Sequence, residues 1–184
     1  MSAKEVIVQA EAPVLRAVAK PVPKKDWGSL TLRNLAKKMS KALAAEEFGV
    51  ALAAPQVGQS LRLFVIAGRA FTADLDEEVR ENTPTPPDMV FVNPTIIRLS
   101  RKKKEMSEGC LSVRGKYGSV IRHEKASVKA QDLFGNTFTY HGTGLIAHIF
   151  QHECDHLEGV LYIDKAEKLR DEKKKEATPA ENGK

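Results

Sequence analysis

Two histidines four positions apart bracket a glutamate in His152-Glu153-Cys154-Asp155-His156. The segment has helical periodicity, and on a helix residues four apart share one face, about 6 Å apart along the axis. Two imidazoles so placed can share one metal ion, and the adjacent carboxylate can handle protons for a metal-activated water. The chemistry indicated is hydrolysis at a metal centre. The motif alone leaves the third ligand and the substrate open, and the same pattern occurs on ordinary surface helices.

A catalytic metal of this type takes three protein ligands and keeps one position open. His148 lies one turn before His152 on the same stripe, but it is about 12 Å along the axis from His156. One ion with bonds of about 2.1 Å does not easily take all three from a straight helix. Cys154, two residues from His152, projects to the opposite side. The segment Glu108-Gly109-Cys110-Leu111-Ser112 offers another donor. A cysteine after glycine at a strand end can present its sulfur beside backbone N–H groups. Cys110 with His152 and His156 makes a set of one sulfur and two nitrogens with an open fourth position. The competing reading of Cys110 is a small buried residue. A Cys110–Cys154 disulfide runs against the reducing compartment inferred below.

Several elements must position these residues. Residues 29–48 read as an amphipathic helix, with Leu32, Leu35, Ala36, Met39 and Leu43 at helical spacing and Gly49 as its stop. Leu61–Ala67 is apolar enough for a buried strand. Residues 68–88 carry scattered charge and end in loop chemistry from Asn82 to Asp88. Met89–Leu99 is strand-like, with Pro94 marking an edge or a bulge. Val120–Gln131 and Asn136–Tyr140 flank Asp132-Leu-Phe-Gly135 as a hairpin. Leu145–Leu157 is the motif helix, stopped by Gly159. From Lys165 the chain becomes charged; Asp171–Glu176 reads as a helical extension and Ala177–Lys184 as a disordered end.

This order predicts an α+β fold: small antiparallel sheets wrapped around a central C-terminal helix carrying the H-E-x-x-H motif, plus an N-terminal helix. A catalytic domain over 1–164 precedes a charged tail over 165–184. At 184 residues the chain suits one domain with a proper core. No apolar run approaches the roughly 20 residues of a membrane span, and Met1–Pro13 does not read as a secretory signal. Two cysteines do not make a disulfide scaffold, which points to a reducing, cytosol-like compartment. The net charge of +5 permits an acidic partner such as RNA without requiring one.

With those residues on the page, the chain resembles the peptide deformylases. Three segments match that family's motifs in order: Gly49-Val-Ala-Leu-Ala-Ala-Pro-Gln56, Glu108-Gly-Cys-Leu-Ser112 and Gln151-His-Glu-Cys-Asp-His-Leu157. Pro13–Val22 and Val92–Ile96 are also similar to family segments, so the likeness covers roughly 13–164. The resemblance implies removal of the formyl group from N-formylmethionyl nascent peptides, with release of formate. It implies one divalent metal, Fe(II) in the cell, with zinc, nickel or cobalt able to occupy the site. Cys110, His152 and His156 would hold it, Glu153 would move protons, and Gln56 and the Leu111 backbone N–H would stabilise charge on the formyl oxygen. Val50, Ala51 and Gly109 would hold the peptide extended, with Glu108 at the entrance or structural. Leu145, Ile149 and Met106 would line the pocket for the methionine side chain. Asp155 orients a ligand or an arginine, or is a solvated helix-face charge; Gln56 has a counter-reading as a polar loop residue.

The resemblance also implies a bacterial-type cytosol, with an organelle matrix left open, and a C-terminal segment able to dock on the ribosome near the exit tunnel. Neither a membrane nor DNA is expected as a partner. Arg101-Lys-Lys-Lys104 reads as a solvated strand end or as a contact to ribosomal RNA. Alternatives are another metallopeptidase-like hydrolase, which leaves Gln56 and Glu108–Ser112 unexplained, and a catalytically inactive ribosome-binding relative. The chain departs from the family at Ala51, usually glycine; Arg114, usually proline; Tyr117, usually arginine; and His148, usually apolar. These changes bear on peptide preference and inhibitor affinity, not on the metal or catalytic residues.

Overall fold

In the computed structural model, residues 6–171 are described. Among the described residues, three α-helices and eight strands form an α+β architecture with two antiparallel sheets. Helix α1 spans Leu30–Ala44, α2 Glu77–Asn82 and α3 Gly144–Leu157. The strands are β1 Ala51–Ala53, β2 Leu63–Ile66, β3 Met89–Leu99, β4 Lys103–Cys110, β5 Val113–His123, β6 Lys125–Gln131, β7 Thr137–Thr143 and β8 Leu169–Asp171. One sheet runs β1-β2-β3-β6-β7 and the other β4-β5-β8.

The five-stranded sheet is covered on both faces, which explains the unbroken apolar run of β2. Leu63 and Val65 point into a cluster with Leu32, Met39 and Leu43 of α1. Phe64 and Ile66 point the other way, into a cluster with Ile146, Ala147 and Phe150 of α3. Phe150 lies edge-on to Phe91 of β3 at 5.3 Å and to Tyr140 of β7 at 5.8 Å. These contacts fix the rotation of α3: with Phe150 and Cys154 against this core, His148, His152 and Glu153 face a cavity on its other side.

Several elements differ from the sequence reading. Helix α1 ends at Ala44, ahead of Gly49, where Arg69 takes up carbonyls in and just beyond the last turn: its Nη2 donates to Glu46 O at 2.8 Å and to Leu43 O at 3.4 Å. Residues 68–88 contain a 3-10 turn at Gly68–Thr72 and the short helix α2. Of the edge or bulge expected at Pro94, the structure has the bulge, inside an interior strand, where Asn93 adopts φ 48° and its side chain bonds Val22 N at 2.8 Å and Val22 O at 3.0 Å. The stretch 120–131 is two strands: β5 ends at His123, and β6 begins at Lys125 in the other sheet. Bonds from Ser100 N to Lys125 O and Glu124 N to Lys102 O tie this crossing to the one between β3 and β4. The hairpin at 132–136 joins β6 to β7. Past Lys165, where the sequence suggests a tail, β8 pairs with β5 through Asp171. The expected helical extension over 171–176 and the disordered end over 177–184 otherwise lie outside the described residues.

Candidate active site

Residues 152–156 form the last turns of α3, and Cys110 ends β4 just before the two-residue turn Leu111–Ser112 that leads into β5. The donor atoms of Cys110, His152 and His156 all lie within 4.8 Å of one another. Cys110 Sγ is 3.3 Å from His156 Nε2. Two donors bound to one ion at about 2.0–2.3 Å in tetrahedral array lie roughly 3.5 Å apart, so the group fits a divalent metal. His152 Nδ1 lies 2.7 Å from Glu108 Oε2, which leaves Nε2 as the nitrogen available to a metal. Burial, then the charge of His152, holds His156 well below its ordinary pKa, so its imidazole keeps a free lone pair.

Glu108 is the centre of a buried charge network. Arg122 donates from Nε to Oε1 at 2.6 Å and from Nη2 to Oε2 at 3.1 Å. His148 Nε2 is 2.8 Å from Oε1. Burial alone would raise this carboxyl; contacts from His148, His152 and Arg122 outweigh it and hold Glu108 far below the usual carboxylate range. Arg122 Nη1 reaches Asp155 at 2.6 Å, and Lys165 Nζ meets the same carboxylate at 2.7 Å. Asp155 therefore orients an arginine. Arg122, missed in the sequence, carries no local signal: only the β4–β5 hairpin brings it to Glu108.

Glu153 is 3% exposed, and its Oε2 has no hydrogen-bond partner among the described residues. Burial, opposed by His152 and helped by Glu108, pushes its pKa up to about 7. Gln56 is equally buried, on the 3-10 turn Ala54–Val57 after β1. Its Oε1 accepts from Ala53 N at 2.8 Å, which turns its Nε2 toward Cys110 Sγ at 3.4 Å and Ser112 Oγ at 3.3 Å. Leu111 N–H makes no hydrogen bond among the described residues.

These groups line a cavity of ≈ 660 Å³. Val50 and Ala51 border it from β1 and the loop before it, and Met106, Glu108, Gly109, Cys110 and Leu111 from the β4 side. Leu145, Ile149, His152 and Glu153 border it from α3, whereas His156 sits behind the wall at 1% exposure. A Cβ on Gly109 would lie 2.8 Å from the Tyr117 ring, so glycine there lets Tyr117 close over the strand. Ser112, Arg114, His148 and Phe48 also face the site or support it, outside the sequence's list of site residues. Arg114 forms a two-pronged ion pair with Glu46, with Nη2 to Oε1 at 2.6 Å. Cys154 packs on the aromatic core, and burial pushes its thiol up to about 12, which removes it as a ligand or nucleophile.

A sulfur and two imidazoles beside a buried, unpaired carboxyl define a hydrolase site able to use a divalent metal. A family model for polypeptide deformylase matches residues 4–172, and the chain belongs to that family. A peptide deformylase of Symbiobacterium thermophilum is 40% identical over 164 residues, spanning 89% of this chain and 67% of the relative. One of Brucella suis is 39% identical over 170 residues, 92% of this chain and 88% of the relative. A Met-Ala-Ser-bound class I type b deformylase of Acinetobacter baumannii superposes with a TM-score of 0.74 at 32% identity, covering 86% of this chain and 96% of that one. The expected deformylase activity and α+β class therefore hold.

Proposed function

We propose that this chain hydrolyses the formyl amide of N-formylmethionyl peptides at the Cys110, His152 and His156 centre, with Glu153 as the proton-transfer group. The observation that carries the reading is Glu153 itself: a buried carboxyl, unpaired at Oε2, raised to about 7, one residue from a ligand. Such a pKa suits a group that must take and return a proton near neutral pH. A divalent ion held by Cys110, His152 and His156 would supply Lewis acidity for the attack of water on the formyl amide. Glu153 removes the proton of the attacking water. The Leu111 N–H and the Gln56 amide donate to the oxygen on which charge develops. Gln56 is prepared for that role because Ala53 N already occupies its carbonyl. Glu153 then returns the proton to the departing amine, giving formate and a free N-terminus.

Val50, Ala51 and Gly109 hold the peptide backbone, and Met106, Leu145 and Ile149 receive the first side chain. Glu108 acts from the β4 side of the cavity, fixing His152. The bound Met-Ala-Ser in the Acinetobacter relative is the peptide class expected here. Fe(II) is the ion assigned in the cell; a thiolate with two imidazoles also takes zinc, nickel or cobalt. A cytosolic location and ribosome docking through the tail over 165–184 follow from the family resemblance. Among the described residues no helix is long and apolar enough to cross a membrane.

Two measurements test this reading. Formate release from formyl-Met-Ala-Ser is expected from anaerobically prepared, Fe(II)-loaded protein and lost on chelation, with Cys110→Ala retaining no stoichiometric metal. Absence of formate from the loaded wild type would overturn it. Ala51→Gly, which removes a methyl from the cavity edge, is expected to change KM several-fold and leave metal content at the wild-type level. Metal loss in that variant would contradict the placement of Ala51 on the peptide side.

A further inference from the structure

His148 stands one turn before His152 on α3, its side chain 12% exposed. It borders the catalytic cavity beside Met106, Leu145 and Ile149. Met106, Leu145 and His148 also border a second cavity of ≈ 600 Å³, whose further lining includes Asp74, Lys104 and Glu124. His148 thus stands between the catalytic cavity and a space lined by charged side chains.

The chemistry of the His148 ring follows from its partner. Arg122 donates to both oxygens of Glu108, so that carboxylate is an acceptor, and the His148 Nε2 it meets at 2.8 Å carries a proton. The other ring nitrogen is Nδ1. Among the described residues that nitrogen has no hydrogen-bond partner. A methionine side chain in the pocket offers that nitrogen no hydrogen bond.

We propose that His148 is a specificity-determining residue: its free ring nitrogen sets a hydrogen-bonding group in the wall that receives the substrate's first side chain, so the enzyme accepts formyl-glutaminyl as well as formyl-methionyl peptides. Glutamine is close to methionine in length, packs its methylenes on Met106, Leu145 and Ile149, and ends in an amide N–H. The inference rests on the deformylase reading above and deepens it. A site built to hydrogen-bond a substrate group discriminates by that bond, whereas an all-apolar wall separates the two side chains by hydrophobicity alone.

The test is kcat/KM for formyl-Gln-Ala-Ser and formyl-Met-Ala-Ser, with metal content read on each preparation. Wild type is expected to process both. In His148→Ile the glutamine-to-methionine ratio falls about tenfold, the worth of one hydrogen bond with the substrate amide left unmet. His148→Gln, which keeps a hydrogen-bonding group in the wall, holds the ratio within about threefold of wild type. An unchanged ratio in His148→Ile, or a wild type more than a thousandfold slower on the glutamine peptide, overturns the inference while leaving the deformylase reading standing. No formate from either peptide overturns both.

Discussion

Replacing Glu153 with glutamine is expected to slow formate release by about 10²–10⁴ while stabilising the metal-free chain above neutral pH. The two effects share one cause. Burial raises the folded-state pKa of Glu153 from 4.5 to about 7. Below the lower value the group is neutral in both folded and unfolded chains, and burial costs nothing extra. As pH rises through the window to about 7, the unfolded chain releases its proton first, and the folded state loses stability. Above the window the loss is full, about 3 kcal/mol for a shift of this size. Glutamine never ionises, so its advantage is absent at pH 4 and complete at pH 8. Urea unfolding of metal-free wild type and Glu153→Gln across that range measures it. A gap independent of pH would mean that the carboxylate does not ionise against its burial. A variant with wild-type turnover would remove Glu153 from the reaction. In loaded protein the nearby cation offsets the cost, so the stability gap narrows and the acid limb of kcat/KM falls at or below about pH 7.

Arg122→Leu is expected to destabilise the chain by about 3–5 kcal/mol, or roughly 10 °C in Tm for a chain of this length. The arginine side chain is 5% exposed and its partner Glu108 1% exposed, so its removal strands a charge that water cannot reach. Because Glu108 is held below the usual carboxylate range, its stabilising contribution is in place above the unfolded pKa of 4.5 and disappears only as acid reaches the lower folded value. The double variant Arg122→Leu with Glu108→Leu recovers most of the stability, because two apolar side chains replace a buried pair at little cost. It does not recover the site: His152 loses the acceptor on Nδ1, and metal affinity falls by about 10–100-fold. Thermal melts and competition with a metal chelator separate these outcomes. If Arg122→Leu melts with wild type, the network contributes nothing to the fold. If the double variant binds metal as tightly as wild type, Glu108 does not orient His152.

What proved legible in the sequence is what depends on near neighbours. The spacing of His152, Glu153 and His156 sets their common face because a helix repeats every 3.6 residues. The same periodicity and the glycine at 159, with φ 73°, bound α3 within a residue. Strand β3 was readable over its whole length from its β-branched residues, and Cys110 could be reached by eliminating Cys154 and His148 as ligands. In the structure Cys154 packs on the aromatic core and His148 on Glu108, while Cys110 stands within reach of His152 and His156.

What only the tertiary structure decided involves partners far apart in the chain. Helix α1 stops where Arg69, 25 positions beyond Ala44, reaches its carbonyls. The strand break at Glu124 arises because the chain changes sheets there, and a change of sheet leaves no mark in local propensity. Arg122 is invisible as a functional residue until the β4–β5 register carries its guanidinium to Glu108 and Asp155. The raised pKa of Glu153 is also a tertiary property. The residue type supplies a carboxyl, but only exclusion of water by the packed fold makes it hold a proton near neutrality. The sequence by itself determined which atoms can do the chemistry; burial and long-range pairing decided their charge, orientation and company.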